Sequence, residues 1–144
     1  MTQNVDGLHS EAGSRSVTEI HGSLRRARCH DCYRAHPITL LRKPVKTLLE
    51  LPRCTCGGLI RPGVVLFGEM LPQEALDEAT EAMETCDGLL VVGSSLQVYP
   101  AAGLPRIVLA RGKPLWIVNL DQTPYDDAAD TVIQGKAGDV LPQV

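Results

Sequence analysis

Four of the five cysteines lie in two close pairs, Cys29 with Cys32 and Cys54 with Cys56. Two short turns that each offer two sulfurs can surround one zinc ion, and four sulfurs complete its tetrahedral coordination. A zinc ion with no open coordination position stabilises a fold and takes no part in catalysis. Two disulfides or unrelated buried thiols are the alternative, although paired spacing in a chain with intracellular features favours metal. The spacing therefore predicts a structural zinc site.

The second cysteine pair is tight, with one residue between its members where about two are usual. Gly57 and Gly58 follow it directly. Glycine permits backbone conformations that other residues avoid, so these two positions suit the narrow turn that the pair requires.

Composition indicates a globular protein, and net charge argues against one class of function. The chain has 144 residues, 44% of them hydrophobic, so it can form a core, and with 3% aromatic residues that core must be aliphatic. A net charge of −3 argues against general nucleic-acid binding, which needs a basic face. An arginine run within residues 25–34 could contact phosphate, but a solvated ribbon edge is the simpler interpretation.

The sequence contains no targeting or membrane signal. No apolar run approaches the roughly 18 residues of a membrane span, and residues 1–30 lack the core of a signal peptide. The cytoplasm is therefore the expected location.

The second half of the chain alternates between strand and helix patterns. Apolar runs predict strands at residues 88–93, 115–118 and 131–133. The first two are continuous, as in strands buried on both faces of a parallel sheet. Residues 73–86 have helical periodicity, and residues 101–111 predict another helix whose start Pro105 determines. Alternating strands and helices predict a doubly wound α/β sheet.

The first half contains the cysteines within residues 24–62, which indicates a zinc ribbon inserted into the α/β domain. Two short apolar segments flank the insert and predict strands at Val17 to Ile20 and at Val64 to Phe67. We therefore assign residues 1–23 and 63–144 to the α/β domain.

Polar residues follow the predicted parallel strands, at the carboxyl edge where such sheets bind ligands. Gly93-Ser94-Ser95 offers amides and hydroxyls that suit a ribose or phosphate, although small residues after a strand can simply form a turn. Asn119 could bind ribose hydroxyls, and Asp121 could do the same or cap the following turn. Ala137 could bring an amide close to a flat ring.

His21 is the candidate general base, because imidazole accepts a proton near neutral pH. A structural histidine at a strand end is the alternative interpretation. The polar, glycine-containing residues 2–9 have the composition of a functional loop.

Six motifs stand in the order seen in sirtuins, the NAD-dependent protein-lysine deacylases. They are Thr2-Gln3-Asn4-Val5-Asp6-Gly7-Leu8-His9, His21-Gly22, the four cysteines, Arg61-Pro62-Gly63-Val64-Val65-Leu66-Phe67-Gly68-Glu69, Gly93-Ser94-Ser95-Leu96-x-Val98-x-Pro100 and Ile117-Val118-Asn119. The chain resembles a bacterial-type sirtuin over essentially its whole length. The resemblance favours His21 as the catalytic residue.

The resemblance implies an enzyme that removes acyl groups from lysine side chains and yields nicotinamide and O-acyl-ADP-ribose. NAD would be the co-substrate and acyl-lysine proteins or peptides the partners, with no nucleic acid and no membrane. Residues 1–23 and 63–144 would form a partial, Rossmann-like NAD-binding domain, and residues 24–62 its zinc-binding lobe.

The resemblance also implies roles for individual residues, with His21 activating a ribose hydroxyl. The nucleotide would contact Gln3, Asn4, Asp6, Gly93, Ser94, Ser95, Asn119, Asp121 and Ala137. The acylated substrate would contact Val65, Phe67, Gly68, Glu69, Leu96 and Val98. Cys29, Cys32, Cys54 and Cys56 would hold zinc outside this pocket.

The chain departs from the family pattern at its start, where the first strand and a glycine-rich phosphate loop are absent. We therefore expect a truncated gene model or a fragment with little or no activity alone. A non-catalytic, zinc-stabilised module that binds ADP-ribose or a partner is the alternative, and a zinc-ribbon nucleic-acid binder is a third hypothesis. The sequence indicates neither the acyl preference, the protein targets nor the oligomeric state.

Overall fold

Two three-stranded sheets organise the chain, one in each of two compact units, Met1–Leu76 and Asp77–Val144. The structure is a computed structural model that describes residues 1–143. The sheet of the first unit is antiparallel and that of the second is parallel. The parallel sheet is the one that the sequence predicts for the second half of the chain, and the antiparallel sheet is consistent with the predicted zinc ribbon.

The antiparallel sheet has the strand order β2-β1-β3. Its strands are β1 (Gly22–Cys29), β2 (Ala35–Pro37) and β3 (Ile60–Val64). The central strand β1 shifts register between Ser23 and Ala27, where its pairing with β3 is interrupted. A small apolar core lies against this sheet and consists of Ala27, Cys29, Cys54 and Ile60, with Ile38, Leu40 and Leu41 packed on it.

Helical structure in the first unit is short. It comprises α1 (Leu8–Glu11) and two 3-10 segments, Ile38–Arg42 and Leu48–Glu50. These segments connect the strands and bury no residue completely.

Both strands predicted beside the insert differ from the structure. Val17 to Ile20 is not a strand; its one sheet-like contact is a parallel bridge between Thr2 and Glu19. The strand predicted at Val64 to Phe67 is wrong in its bounds, because β3 ends at Val64. The chain turns beyond it, and the Glu69 amide donates to the Leu66 carbonyl at 3.0 Å. Both segments contain apolar residues, but within residues 1–143 no neighbouring strand pairs along their length.

The parallel sheet has the order β4-β5-β6. Its strands are β4 (Leu89–Val92), β5 (Leu115–Asn119) and β6 (Thr131–Gln134), as the apolar runs predict. Register aligns Val92 with Val118 and Asn119 with Gln134, so the three strands end side by side. The core beside the sheet contains Leu96, Leu115, Ile117 and Tyr125.

Strand β4 is not buried on both faces, and this part of the prediction is wrong. Leu90 is 50% exposed and Val92 is 37% exposed. Strand β4 lies at the edge of this sheet, so the described chain covers it less than the central strand β5, where Leu115, Ile117 and Val118 are buried.

Three helices accompany the parallel strands. They are α2 (Gln73–Thr85), α3 (Pro105–Ala110) and α4 (Ala137–Val140), with further 3-10 segments at Ala101–Gly103, Asp126–Ala128 and Leu141–Gln143. Pro105 occupies the start of α3, where its missing N–H costs no helical hydrogen bond. Within residues 1–143 no helix combines the length and apolar composition needed to cross a bilayer.

Candidate functional site

The four paired cysteines converge at one end of the antiparallel lobe. Their Sγ atoms all lie within 4.8 Å of one another. Cys29 and Cys56 are 3.5 Å apart through their sulfurs, and Cys32 and Cys54 are 3.7 Å apart. All five cysteines of the chain are free thiols, so the disulfide alternative does not describe this arrangement.

The spacing of these sulfurs fits a zinc ion. Zinc bonds of about 2.3 Å in a regular tetrahedron place sulfurs about 3.8 Å apart. The two closest pairs, at 3.5 and 3.7 Å, lie near that separation. Thiolate ligands favour zinc over magnesium and calcium, which prefer oxygen.

The thiol pKa values give a second reason for a cation here. The Cys56 backbone amide, followed by the His36 imidazole, lowers the pKa of Cys54 to about 5. The Gly58 amide lowers the pKa of Cys56, but hydrogen bonding to the Cys32 sulfur and to other neighbours raises it to about 12. Four thiolates this close repel one another, and a divalent cation supplies the charge that lets all of them ionise.

Two glycines shape the turn that carries Cys54 and Cys56. Gly57 has a φ of 93°, in the left-handed region. The Cys54 amide donates to the Gly58 carbonyl at 2.8 Å, which closes the turn. A Cβ atom on Gly58 would lie 2.7 Å from the Cys29 sulfur. Gly57 thus supplies the left-handed backbone of this turn, and Gly58 permits its close approach to Cys29.

His21 immediately precedes β1 and is half-buried. Its Nδ1 atom lies 3.2 Å from the Gln3 carbonyl oxygen. With the proton on Nδ1, the ring donates to that carbonyl and leaves the Nε2 lone pair available to accept a proton. The Val65 amide donates to the His21 carbonyl at 2.9 Å, so His21 lies beside the segment that follows β3.

The N-terminal loop runs beside His21 and carries three of the predicted nucleotide contacts. The Ile20 amide donates to the Thr2 carbonyl at 3.1 Å, and the Asn4 amide donates to the Thr2 hydroxyl at 3.1 Å. Asp6 accepts the Leu8 amide at 2.9 Å. The structure therefore brings His21 and Gln3 into contact and keeps Asn4 and Asp6 on the same short loop.

The other predicted nucleotide contacts lie at the carboxyl edge of the parallel sheet. Gly93 follows β4 with a φ of 61°, and its amide donates to the Val118 carbonyl at 2.9 Å. The Ser94 hydroxyl accepts the Leu96 amide at 3.3 Å. Asn119 is buried at the end of β5, and its side-chain nitrogen donates to the Asp121 carbonyl at 2.8 Å.

Three further candidates flank that edge. Ser95 is exposed next to Ser94, and Asp121 is exposed in the turn after β5. Ala137 begins α4 shortly after β6 ends. Because β4, β5 and β6 are parallel neighbours, residues just beyond them share one edge of the sheet, as the sequence predicts.

The predicted substrate contacts have different surroundings. Phe67 is completely exposed and Gly68 has a φ of 84°. Val98 is exposed, whereas Leu96 is 6% exposed and packs in the core of the second unit. A ligand could therefore contact Leu96 mainly through its backbone.

Glu69 forms ion pairs with Arg28 and Arg61, neither of which the sequence predicts to be a site residue. The solvated edge that the sequence predicts for the arginine run is wrong at Arg28, because only 19% of this side chain is exposed. The sequence gives no local signal for the contact between Arg28 and Glu69, because the two residues are 41 positions apart.

The remaining arginines of the run also have partners. Arg25 forms an ion pair with Glu11, and Arg26 pairs with Glu19 at 2.7 Å. Arg34 donates to the Thr55 hydroxyl at 2.7 Å. Each of these three arginines therefore contacts another residue of the same unit.

Comparison with known proteins relates this geometry to one family. The Sir2 family model matches residues 1–100. The NAD-dependent protein deacetylase of Cutibacterium acnes is 50% identical over all of this chain, which covers 57% of that protein. The NAD-dependent protein deacylase 2 of Pyrobaculum aerophilum is 51% identical over all of this chain, which covers 56% of that protein. The chain thus spans a little over half the length of these curated relatives.

Solved structures give the same relationship. A Sir2 homologue in complex with NAD superimposes with a TM-score of 0.84 at 47% identity, covering 97% of this chain and 54% of that one. A complex of Sir2 with a p53 peptide and NAD+ gives 0.86 at 40% identity, covering 99% and 60%. These matches confirm the predicted fold class, a partial Rossmann-like, doubly wound α/β sheet with an inserted zinc-ribbon lobe. Because the family model matches well over half of the residues of this chain, the chain belongs to the Sir2 family.

Proposed function

We propose that this protein is an NAD-dependent protein-lysine deacylase in which His21 is the catalytic base. The observation that carries the proposal is the contact between His21 Nδ1 and the Gln3 carbonyl, which leaves Nε2 to take a proton. In the reaction, nicotinamide leaves the ribose of NAD and the acyl oxygen of the substrate takes its place. His21 then deprotonates a ribose hydroxyl, which attacks the acyl carbon so that the lysine amine leaves, and one water molecule opens the remaining cyclic cation to give O-acyl-ADP-ribose.

NAD is the proposed co-substrate, and its contacts come from two sets of residues. Gln3, Asn4 and Asp6 would contact the nicotinamide end, because they lie on the loop that orients His21. The phosphates and adenosine would contact residues at the carboxyl edge of the parallel sheet, namely Gly93, Ser94, Ser95, Asn119, Asp121 and Ala137. Amides and hydroxyls there suit phosphate and ribose oxygens.

The zinc ion would be structural and bound by Cys29, Cys32, Cys54 and Cys56. Four thiolates leave no position for a substrate, so the ion would supply charge compensation and rigidity. We assign residues 24–62 to this zinc-binding lobe and residues 1–23 and 63–144 to the NAD-binding domain.

The proposed substrates are acyl-lysine side chains of proteins or peptides. Val65 and Phe67 would line the acyl-lysine channel, since Val65 adjoins His21 and Phe67 is exposed on the same loop. Segments at Gly68 and Glu69 and at Leu96 and Val98 would bind the peptide backbone as an added strand. The proposal includes no nucleic-acid or membrane partner, and a cytoplasmic location stays a prediction.

A second candidate function is a non-catalytic module that binds ADP-ribose. One observation favours it: the 144 residues contain no Gly-x-Gly-x-x-Gly loop, the usual cradle for a dinucleotide pyrophosphate.

A single-turnover experiment separates the two functions. The protein is supplied in excess over an acetyl-lysine peptide with saturating NAD, and products are identified by mass spectrometry. Deacylation predicts equal amounts of free lysine peptide and O-acetyl-ADP-ribose. Binding of ADP-ribose in calorimetry without either product would support the non-catalytic module and overturn the enzyme.

A further inference from the structure

Two arginines face each other across the antiparallel sheet. Arg28 of β1 pairs directly with Arg61 of β3. Their side chains are 19% and 16% exposed. Like charges placed directly opposite destabilise a strand pair, and limited contact with solvent reduces the screening between them. This pair of strands therefore needs a nearby anion.

Glu69 supplies that anion from the loop after β3. Its Oε1 atom lies 2.5 Å from Arg61 Nη2, and its Oε2 atom lies 3.1 Å from Arg28 Nη2. Oε2 also accepts the Leu66 amide at 3.0 Å. This amide, followed by Arg61, holds the pKa of Glu69 below its usual range. One carboxylate thus neutralises charge from two strands.

The same contacts close the loop formed by residues 65–69. The Glu69 amide donates to the Leu66 carbonyl at 3.0 Å, and Arg61 Nη1 donates to the Val64 carbonyl at 2.9 Å. Leu66 is 55% exposed and Phe67 is completely exposed. The loop therefore exposes two apolar side chains to solvent. The hydrogen bonds named above hold its backbone in place.

Both arginines also adjoin the cysteine centre. Arg28 directly precedes Cys29, and Arg61 directly follows Ile60. Cys29 and Ile60 are paired across β1 and β3 and share a buried cluster with Cys54. Strand β1 thus joins Cys29 directly to Arg28, the residue that contacts Glu69.

We propose that Arg28, Arg61 and Glu69 form a clasp that couples metal binding at the four cysteines to the order of the loop at residues 65–69. Arg28 and Glu69 are positioning residues in this arrangement, because they act through the loop. The part of the loop in binding acyl-lysine rests on the proposed function. Coupling is reciprocal, so a clasp that zinc tightens must itself tighten zinc binding by the same factor.

Zinc affinity tests the coupling directly. It is measured by competition with a chromophoric chelator for wild type, Glu69→Gln, Arg28→Gln and the control Glu74→Gln, whose carboxylate is exposed in the first turn of α2. We expect zinc affinity to fall about fivefold or more in both clasp variants. The control is expected to stay within twofold of wild type.

Hydrogen exchange in the zinc-loaded protein separates a local clasp from general stability. Glu69→Gln is expected to raise the exchange rate of amides 65–69 about tenfold, with the β1 amides unchanged. The double variant Arg28→Gln/Glu69→Gln should exchange no faster than Glu69→Gln alone, because removing one arginine relieves the repulsion. If Arg28 and Glu69 acted independently, the effects of the two substitutions on the exchange rate would add.

Unchanged zinc affinity in both clasp variants, or loop exchange equal to that of Glu74→Gln, would overturn the proposal. If Glu69→Gln does not fold, Arg28→Gln decides the same question, since it keeps the 2.5 Å contact between Arg61 and Glu69. Neither measurement uses NAD or an acylated peptide. Failure of the proposed deacylase function would therefore leave these results, and the test, intact.

Discussion

Gly58 lies so close to Cys29 that a Cβ atom at position 58 would stand 2.7 Å from the Cys29 sulfur. The same atom would stand 2.6 Å from an Asp31 carboxylate oxygen. The turn that carries Cys54 and Cys56 therefore lies so close to the turn that carries Cys29 and Cys32 that no side chain fits at position 58. The geometry of the metal centre depends on the absence of a side chain as much as on the four sulfurs.

Gly58→Ala is expected to weaken zinc binding at least about tenfold, because the new methyl group must displace a metal ligand. Gly57→Ala is the matched control, since Gly57 has a φ of 93° but open space around it. That control isolates the backbone strain of about 1 to 2 kcal/mol. Chelator competition and urea unfolding measure both variants. Equal zinc affinity in the two variants would show that the close approach has no consequence.

His36 is expected to support the Cys54 thiolate. The Nε2 atom of His36 is buried and has no hydrogen-bond partner among residues 1–143, yet the imidazole lowers the pKa of Cys54. His36→Phe removes this polar neighbour and should weaken zinc binding about tenfold, as loss of such outer contacts commonly does. His9→Phe, at an exposed position, is the control. Equal zinc affinity in both variants would remove His36 from the metal site.

Acid should weaken the fold partly through Glu69. Its folded pKa lies below the ordinary value of 4.5, so its ionic contacts contribute stability above pH 4.5. That contribution is lost as pH falls through the lower, folded pKa. The difference in unfolding free energy between wild type and Glu69→Gln should therefore be constant from pH 7 to pH 5 and shrink below it. A difference that grows on acidification would mean that the sign of the shift is wrong.

Phe67→Ala is expected to leave the unfolding free energy within about 0.5 kcal/mol of wild type, because an exposed side chain contributes little packing. Its completely exposed ring should instead contribute to acyl-peptide binding. Ile20→Ala, at a completely buried position, should cost about 2 to 5 kcal/mol. Fluorescence polarisation of an acetyl-lysine peptide with denaturant unfolding measures both effects. A large loss of stability in Phe67→Ala would show that the ring packs on the protein.

Local signals in the sequence account for the parts that were predicted correctly. Strand β5 follows from an apolar run, and the cysteine centre follows from spacing within two short turns. In both cases the deciding residues are near one another in sequence. The family motifs favour His21 as a base over a structural histidine, and that assignment stays a prediction.

The features that sequence reasoning missed depend on distant residues. Arg28 and Glu69 are separated by 41 positions, so nothing near either residue indicates their contact. The segment Val17 to Ile20 has strand-forming residues, but a strand also needs a partner, and its one pairing is the bridge between Thr2 and Glu19. Burial of β4 likewise depends on what covers the sheet, which an apolar run cannot specify.

The central claim is that His21, oriented through Nδ1 by Gln3, is the base of a deacylation reaction. The most direct measurement is the single-turnover rate of O-acetyl-ADP-ribose formation by wild type and by His21→Ala, at equal zinc content. Loss of a general base predicts a rate at least about 100-fold lower in the variant. Equal rates in the two proteins would contradict the account.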